Sequence, residues 1–234
     1  MKSPLKPFRL ALLNFAGLTS LVLLMLEGCT EPPREALRLG LVVVVGPDIS
    51  KTFTGYDQLD TAQLRSLCQA ALQSGREVVV ALKPIGNPND LPFLRCELKA
   101  VSAVDPRQTL SQKASMNAQR QEVMRWNAQV IELFLQRSAT LLDQDLQENT
   151  DLNGFFSQAA ELFSEPQFDG REKILFLHTD GIHDINGDKA LICTLPQDVD
   201  FYSSGWKNKA LCPGTGKFED TQGFFSFMAE KLKN

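Results

Sequence analysis

The chain has 234 residues, of which 43% are hydrophobic and 22% are charged, and its formal net charge is -4. This balance is that of an ordinary globular protein, and it excludes a disordered, a collagen-like or a multi-span membrane chain. An acidic chain also lacks the basic excess that neutralises phosphate groups, so we expect no nucleic-acid partner.

The first 28 residues have the pattern of an export signal. Basic residues stand before residue 10, and residues 10–26 carry no charge. A basic region followed by an apolar segment and a small residue predicts a signal peptide. The sequence Leu26-Glu27-Gly28-Cys29 resembles the bacterial lipobox, in which the cysteine is acylated and becomes the new N-terminus, although Glu27 stands where a small uncharged residue is usual. An uncleaved anchor helix is the alternative, because this apolar segment is near the lower length limit of a membrane span.

Cys29 divides the chain into two parts of opposite charge. Residues 1–28 contain three bases and one acid and carry +2, whereas the remainder contains 21 bases and 27 acids and carries -6. We interpret residues 29–37 as a polar tether and residues 38–234 as one domain. Lipid on Cys29 would anchor this domain to a cell membrane, where it faces the periplasm or the cell exterior.

Four cysteines remain beyond Cys29, at positions 68, 96, 193 and 212. In an exported chain an even number of cysteines suggests disulfides, and four cysteines allow three pairings. We favour a Cys193–Cys212 bridge because both residues lie in the irregular C-terminal part of the chain. Buried free thiols are the alternative.

The body of the chain alternates predicted strands and helices. Apolar, β-branched or alternating runs predict strands at residues 39–45, 77–82, 93–101 (an edge strand), 173–177 and 199–202. Helical spacing of apolar residues predicts helices at residues 60–74, 152–163 and 224–232. This order predicts an α/β domain built on a three-layer, doubly wound and mainly parallel sheet. No final strand is apparent in the C-terminal third.

A long helix is predicted to begin at Asp105–Pro106. Asp105 is the expected N-cap, proline suits the first helical position, and Gln108 completes the capping pattern. The second half of this helix carries an apolar stripe that we interpret as core-facing. The stripe consists of Val123, Trp126, Val130, Phe134 and Leu141.

Oxygen-bearing side chains occur in three loops next to predicted strands and helices. Asp48, Ser50 and Thr52 follow the first strand, Asp180 follows the strand at residues 173–177, and Thr150 precedes the helix at residues 152–163. Ligands of parallel α/β sheets bind outside the carboxyl ends of the strands. Because hard oxygen ligands suit Mg²⁺, these loops predict a divalent-metal site.

This arrangement resembles the metal-ion-dependent adhesion site of the von Willebrand factor A (vWA) domain family, over residues 38–232. The resemblance implies a Rossmann-like vWA fold in which Ser50 and Thr52 bind Mg²⁺ or Mn²⁺ directly. It also implies that Thr150 binds the ion directly or through water, and that Asp48 and Asp180 hold metal-bound waters. A carboxylate from an acidic side chain of a protein partner would complete the octahedron. The implied function is therefore binding, without catalysis.

Two positions depart from the vWA pattern. Thr52 replaces the usual serine but keeps the hydroxyl oxygen. Lys51 stands where the family often has glycine, and its charge would repel a metal ion unless the side chain points away.

Three alternative functions remain open. The same loops faintly resemble Mg²⁺-dependent phosphatases of the haloacid dehalogenase type, with Asp48 as the nucleophile and Asp180 and Asp184 as metal ligands. In that family a second carboxylate stands at the position of Ser50. A degenerate vWA scaffold would bind proteins without a metal. Finally, His178 and His183 could form a transition-metal site with Asp184.

Overall fold

The computed structural model describes residues 40–53, 58–88, 91–102, 107–208 and 216–233. The predicted signal peptide, Cys29 and the tether lie outside these residues, and so do Asp105, Pro106 and Cys212. Within the described part of the chain, no helix combines the length and the apolar character that crossing a membrane requires.

Strands and helices alternate along most of the chain. The strands are β1 (Leu41–Pro47), β2 (Val78–Leu82), β3 (Leu94–Leu98), β4 (Glu172–His178), β5 (Val199–Ser204) and β6 (Gly216–Phe218). The helices are α1 (Thr61–Gln73), α2 (Leu110–Leu142), α3 (Leu152–Phe163) and α4 (Thr221–Lys231), and a 3₁₀ turn covers Pro166–Phe168. Each strand and helix predicted from the sequence is present; α3 has the predicted bounds, and the boundaries of the others are shifted.

The strands form one sheet in the order β3-β2-β1-β4-β5-β6. β1 pairs in parallel with β2 and β4, and the parallel pairing continues from β4 to β5 and from β5 to β6. Only the pairing of β3 with β2 is antiparallel in this sheet of described residues. The prediction of a mainly parallel α/β sheet is therefore confirmed.

Helices cover both faces of the sheet, which gives three layers. On one face Val43 of β1 belongs to a hydrophobic cluster with residues of α1, α2 and α4. On the other face Val44 packs in a second cluster with α3 and the 3₁₀ turn. Every residue of β1 is buried, as its continuous apolar run requires in a strand covered from both sides.

Helix α2 begins later than the sequence predicts. Thr109 is its N-cap, and the side-chain oxygen of Gln112 accepts a hydrogen bond of 2.9 Å from the Thr109 main-chain N–H. Residues 107–109 are not helical, so the predicted start at Asp105–Pro106 is wrong. The reason is that Thr109 and Gln112 offer a complete capping box a few residues further on.

The apolar stripe predicted for α2 is only partly correct. Phe134 is buried, but Trp126 is 47% exposed, so its predicted core position is wrong. The next residue, Asn127, faces inward instead and is fully buried. Its side chain bonds to both the main-chain N–H and the carbonyl of Lys99, at 3.0 and 2.9 Å. Asn127 therefore satisfies main-chain groups just beyond the edge strand β3, whereas an indole could not do both.

The C-terminal part contains a strand that the sequence did not reveal. Residues 216–218 form β6, which pairs in parallel with β5 at the edge of the sheet. Helix α4 also starts earlier than predicted, because Asp220 caps it by accepting a bond of 2.7 Å from the Gly223 N–H. The expectation that a final strand is missing is therefore wrong.

Candidate metal-binding site

The carboxyl ends of β1 and β4 meet near the centre of the sheet. After β1 the chain continues through α1 on one face, and it reaches β4 through α3 on the opposite face. Strands whose connections leave to opposite faces create a crevice in which α/β proteins bind ligands. The Asp48 N–H donates a bond of 2.9 Å to the His178 carbonyl, so the loops after β1 and β4 start side by side.

Asp48 is a buried carboxylate that is hydrogen-bonded on both oxygens. Its Oδ1 accepts a bond from the Ser50 N–H at 2.8 Å, and its Oδ2 accepts a bond from the Thr179 hydroxyl at 2.6 Å. Burial raises the pKa of Asp48 above its ordinary value, and the bonds from Thr179 and Ser50 oppose that shift. These bonds fix the orientation of the carboxylate and of the turn that carries Ser50.

Ser50 and Thr52 present two hydroxyl oxygens side by side. Ser50 Oγ lies 3.0 Å from Thr52 Oγ1, and either hydroxyl can be the donor. Ser50 is fully buried, whereas Thr52 is exposed. The pair therefore runs from the interior of the crevice to its surface, which is where a ligand would enter.

Asp180 brings a second carboxylate to the same crevice. It is buried, its Oδ1 accepts a bond from the Ile182 N–H at 3.0 Å, and burial raises its pKa. The charge of Asp180 also contributes to the raised pKa of Asp48, so the two carboxylates are close enough to repel each other. A cation placed between the loops would relieve this repulsion.

Thr150 is connected to the crevice through the main chain of its loop. Its main-chain N–H donates to the Asp184 carbonyl at 3.2 Å, and the Asp184 N–H donates back to the Thr150 carbonyl at 3.0 Å. Three residues before Thr150, the Gln147 N–H donates to the Ile49 carbonyl at 2.9 Å, and the Gln147 carbonyl accepts a bond of 2.8 Å from the Lys51 N–H. Thr150 is itself buried. All three predicted loops are thus joined at one edge of the sheet.

Lys51 is paired with an acidic residue. Its ammonium group forms an ion pair with Glu148, and the side chains are 56% and 74% exposed, respectively. The hydrogen bond and the charge of Lys51 lower the pKa of Glu148. The positive charge of Lys51 is therefore neutralised by a neighbour at the protein surface.

Thr179 has a role that the sequence did not indicate. Besides donating to Asp48, its hydroxyl accepts the Gly181 N–H at 3.1 Å, so it organises both loops. Its position directly after a buried strand, beside Asp180, was the available signal. Gly181 has a φ of 77°, and a Cβ there would lie 2.6 Å from the indole of Trp206, so this turn requires glycine.

A ring cluster supports the floor of the crevice and was not predicted. His178 Nδ1 lies 2.7 Å from Ser204 Oγ on the neighbouring strand β5. The ring of Phe53 meets the imidazole of His178 edge to face, with the ring centres 4.8 Å apart. These buried side chains hold Phe53 against the end of β4.

The donor set fits a hard divalent cation. Asp48, Ser50, Thr52 and Asp180 supply only oxygen atoms, from two hydroxyls and two carboxylates, and such ligands suit Mg²⁺ or Mn²⁺. Among the described residues, no group of three or more His, Cys, Asp or Glu side chains could hold a metal ion. The transition-metal site suggested for His178, His183 and Asp184 is therefore wrong.

Of the three cysteines in the described part of the chain, two are free and one is in a disulfide. Cys68 and Cys96 are buried free thiols. Cys193 is a disulfide cysteine. Its favoured partner, Cys212, lies outside the described residues, so the Cys193–Cys212 pairing remains a prediction.

Comparison with known proteins finds similar chains among solved structures. No family model matches the sequence, and no curated protein matches it. Among solved structures, the chain is similar to the pilus adhesin SpaC from Lactobacillus rhamnosus GG. The sequence identity is 13% and the TM-score is 0.43, over 86% of this chain and 30% of the adhesin. The chain therefore spans less than a third of the length of the adhesin.

Two further solved structures are similar to the chain. The VWA domain of SpRpn10 has 10% identity and a TM-score of 0.37, over 82% of this chain and 95% of that domain. Proximal thread matrix protein 1 from the mussel byssus, solved with a zinc-occupied MIDAS motif, has 10% identity and a TM-score of 0.37, over 84% of this chain and 46% of that protein.

Proposed function

We propose that this chain is a vWA-like binding module that holds Mg²⁺ or Mn²⁺ and captures a carboxylate of a protein partner. One observation carries the proposal. The hydroxyls of Ser50 and Thr52 lie 3.0 Å apart, beside the buried Asp48, in the crevice where β1 and β4 end. A hard cation needs such oxygen ligands, and this crevice is where parallel α/β sheets bind their ligands.

The proposal gives each residue of the candidate site a role. Ser50 and Thr52 would bind the metal directly, and Thr150 would bind it directly or through water. Asp48 and Asp180 would hold metal-bound waters and balance the charge of the ion. A bound ion supplies a Lewis-acid position that a carboxylate of the partner can occupy.

The surroundings of Asp48 favour binding over phosphatase chemistry. Hydrogen bonds to both oxygens of an aspartate lower its nucleophilicity, but they leave lone pairs that can accept from metal-bound water. Both oxygens of Asp48 already accept hydrogen bonds, one from the Ser50 N–H and one from the Thr179 hydroxyl. The serine at position 50 also offers no second carboxylate for acid–base work. A carboxylate that is held in one orientation by two hydrogen bonds is suited to accept a hydrogen bond from metal-bound water.

The proposal places the domain outside the cytoplasm, on a membrane. The support for this part is the basic and apolar leader and the Leu26-Glu27-Gly28-Cys29 sequence. The test is expression in a bacterial host with Cys29→Ala beside the unchanged chain. The unchanged chain should fractionate with membranes and carry lipid at Cys29, whereas the variant should lose the lipid. A lipid-free Cys29 in the unchanged chain would contradict the anchoring.

The metal is tested by thermal unfolding of the full chain in mild detergent. Millimolar Mg²⁺ or Mn²⁺ should raise the melting temperature by about 3–10 °C relative to chelator, since the ion binds only the folded state. Thr52→Val removes one hydroxyl with little change of volume and should abolish most of this shift. Thr52→Ser is the matched control and should retain it.

Two outcomes would count against the metal. The first is the absence of any shift in the unchanged chain at millimolar Mg²⁺ and Mn²⁺. The second is an equal shift in Thr52→Val and Thr52→Ser, because the ion would then bind elsewhere. A hydrolysed aryl phosphate, with turnover lost in Asp48→Asn, would instead establish the phosphatase alternative.

A further inference from the structure

Two buried thiols meet in the core, away from the metal site. Cys68 lies on α1 and Cys96 lies on β3, and both are fully buried and free. They belong to the same hydrophobic cluster. Their thiol groups contact each other as hydrogen-bond partners. The fold thus brings two cysteines of a helix and an edge strand into direct contact.

The fold explains why these thiols meet. Cys96 stands opposite Val80 of β2 and points to the same face of the sheet, since both residues lie in the cluster beneath α1. On α1 the buried face includes Leu64, Leu67 and Cys68. The contact is therefore a consequence of packing α1 on the β2–β3 hairpin, and no loop or mobile segment takes part in it.

We propose that Cys68 and Cys96 become a disulfide when the chain folds in an oxidising compartment. This inference rests on the export that the proposed function includes. Cys193 is already a disulfide cysteine, which leaves Cys68 and Cys96 as thiols in contact with each other. Exported proteins form and keep such bonds, whereas cytosolic proteins do not.

The reaction is a thiol–disulfide exchange with an oxidised dithiol oxidoreductase or with a low-molecular-weight disulfide. The thiolate of one cysteine attacks a sulfur of the oxidant, whose S–S bond breaks as a mixed disulfide forms. The thiolate of the second cysteine then attacks the mixed disulfide and forms the Cys68–Cys96 bond. The two electrons and the two thiol protons end on the oxidant, which leaves as two thiols.

The bond must form before the core closes. The hydrogen bond that the Cys68 thiol makes to Cys96, together with burial, raises the pKa of Cys68 well above its ordinary value, so the folded protein holds almost no thiolate there. No solvent reaches either sulfur in the folded protein. Once formed, the bridge would tie α1 to the edge strand β3 and resist reduction.

The experiment maps the sulfur linkage in the full chain. The chain is refolded from denaturant in mild detergent with oxidised and reduced glutathione, alkylated under denaturing conditions, and digested with trypsin without reduction. Cleavage places Cys68 in the peptide of residues 66–76 and Cys96 in the peptide of residues 96–99. We expect these two peptides joined, with a mass two hydrogens below their sum. Alkylated Cys68 and Cys96, or bridges from either to another cysteine, would overturn the proposal.

Two variants separate this bridge from any other. Cys193→Ala should keep the joined peptides, and refolding this variant in reductant should lower its melting temperature by about 5–10 °C relative to the oxidised form. Cys193→Ala with Cys96→Ala should show no effect of reduction, and a remaining effect would overturn the proposal. Neither readout uses a metal or a membrane fraction. A failure here is therefore distinct from a failure of the proposed binding function, and each can be scored without the other.

Discussion

Thr179 Oγ1 donates a hydrogen bond of 2.6 Å to Asp48 Oδ2 and so joins the loop after β4 to the loop after β1. Both residues are buried, and the same hydroxyl accepts the Gly181 N–H at 3.1 Å. The Thr179 hydroxyl thus satisfies a donor on its own turn and an acceptor on the neighbouring loop. This bond sets the distance between the two carboxylate-bearing loops and makes the crevice one unit.

Removing the Thr179 hydroxyl should loosen this crevice. Thr179→Val keeps the shape of the side chain but leaves Oδ2 of the buried Asp48 without its donor. We expect a loss of about 1–3 kcal/mol in the free energy of unfolding, measured by urea denaturation, and a smaller Mg²⁺-dependent shift in melting temperature. Thr179→Ser keeps the hydroxyl and should lose less than half as much. Equal stability of the valine variant and the unchanged chain would contradict this role.

The sequence predicted the sheet well because buried parallel strands have a strong signal. The runs that became β1, β2 and β4 are continuous and apolar, and few other structures accommodate them. β6 was not predicted because it is only three residues long, which is too short to show the alternation typical of a strand. Trp126 was wrongly predicted to face the core because helical spacing favours the apolar residue over its polar neighbour Asn127. The main-chain groups of Lys99 that make burial of Asn127 favourable are far away in sequence.

The candidate site was predictable to the level of its loops. Chain order and strand ends brought Asp48, Ser50 and Asp180 to one edge, because parallel strands end together. The pairing of Lys51 with Glu148 was not predictable, since the partners lie on different loops and meet only after folding. The role of Thr179 was hidden for the same reason, as a hydrogen bond to Asp48 has no signature in the spacing of either residue.

The exposed Lys51–Glu148 pair should tune metal affinity through charge alone. Glu148→Gln removes the partner that neutralises Lys51, so we expect Mg²⁺ binding to weaken by about two- to fivefold at low ionic strength. Lys51→Gln should strengthen it by a similar factor, and the double variant should lie between the two. Isothermal titration calorimetry measures these affinities. Differences that persist in 1 M salt would show that the effect is not electrostatic.

The stability of the metal-free protein should depend on pH through Asp180. Burial raises its pKa in the folded state, so the folded protein binds a proton that the unfolded chain has released. The pKa of Asp180 in the unfolded chain is about 3.9, and the free energy of unfolding falls as the pH rises from this value through the raised pKa of the folded protein. Above the folded-state pKa, the free energy of unfolding has lost the whole contribution of this proton. Asp180→Asn does not titrate, so in chelator it should be more stable than the unchanged chain at pH 7, with the difference closing towards pH 3.5.

Adding Mg²⁺ should reverse this order at pH 7. The unchanged chain gains stability from the ion, and Asp180→Asn should gain little because it lacks the second carboxylate. Urea denaturation at each pH, with and without Mg²⁺, measures both effects. A metal-free Asp180→Asn variant that is less stable than the unchanged chain at pH 7 would contradict the assignment of the penalty to the buried carboxylate.

Asn127 should contribute more to stability than its polar side chain suggests. It is buried on α2 and bonds to the Lys99 N–H at 3.0 Å and to the Lys99 carbonyl at 2.9 Å, beside the edge strand β3. Asn127→Ala leaves both main-chain groups without partners, and we expect a loss of about 1–3 kcal/mol in urea denaturation. Asn127→Asp keeps the acceptor for the Lys99 N–H but turns a carboxylate towards the Lys99 carbonyl. This variant should therefore be at least as unstable as Asn127→Ala at pH 7. It should recover part of its stability at low pH, where the carboxyl group regains a proton to donate.

The exposed neighbour Gln129 on the same helix supplies the control for Asn127. Gln129→Ala removes an exposed side chain and favours the helix, so its unfolding free energy should stay within about 0.5 kcal/mol of the unchanged chain. If Asn127→Ala were equally neutral, water would be replacing both bonds to Lys99, and the edge of the sheet would not depend on this amide. A loss confined to Asn127→Ala, with Mg²⁺ binding intact, would instead show that α2 holds β3 in place independently of the crevice at the other strands' carboxyl ends.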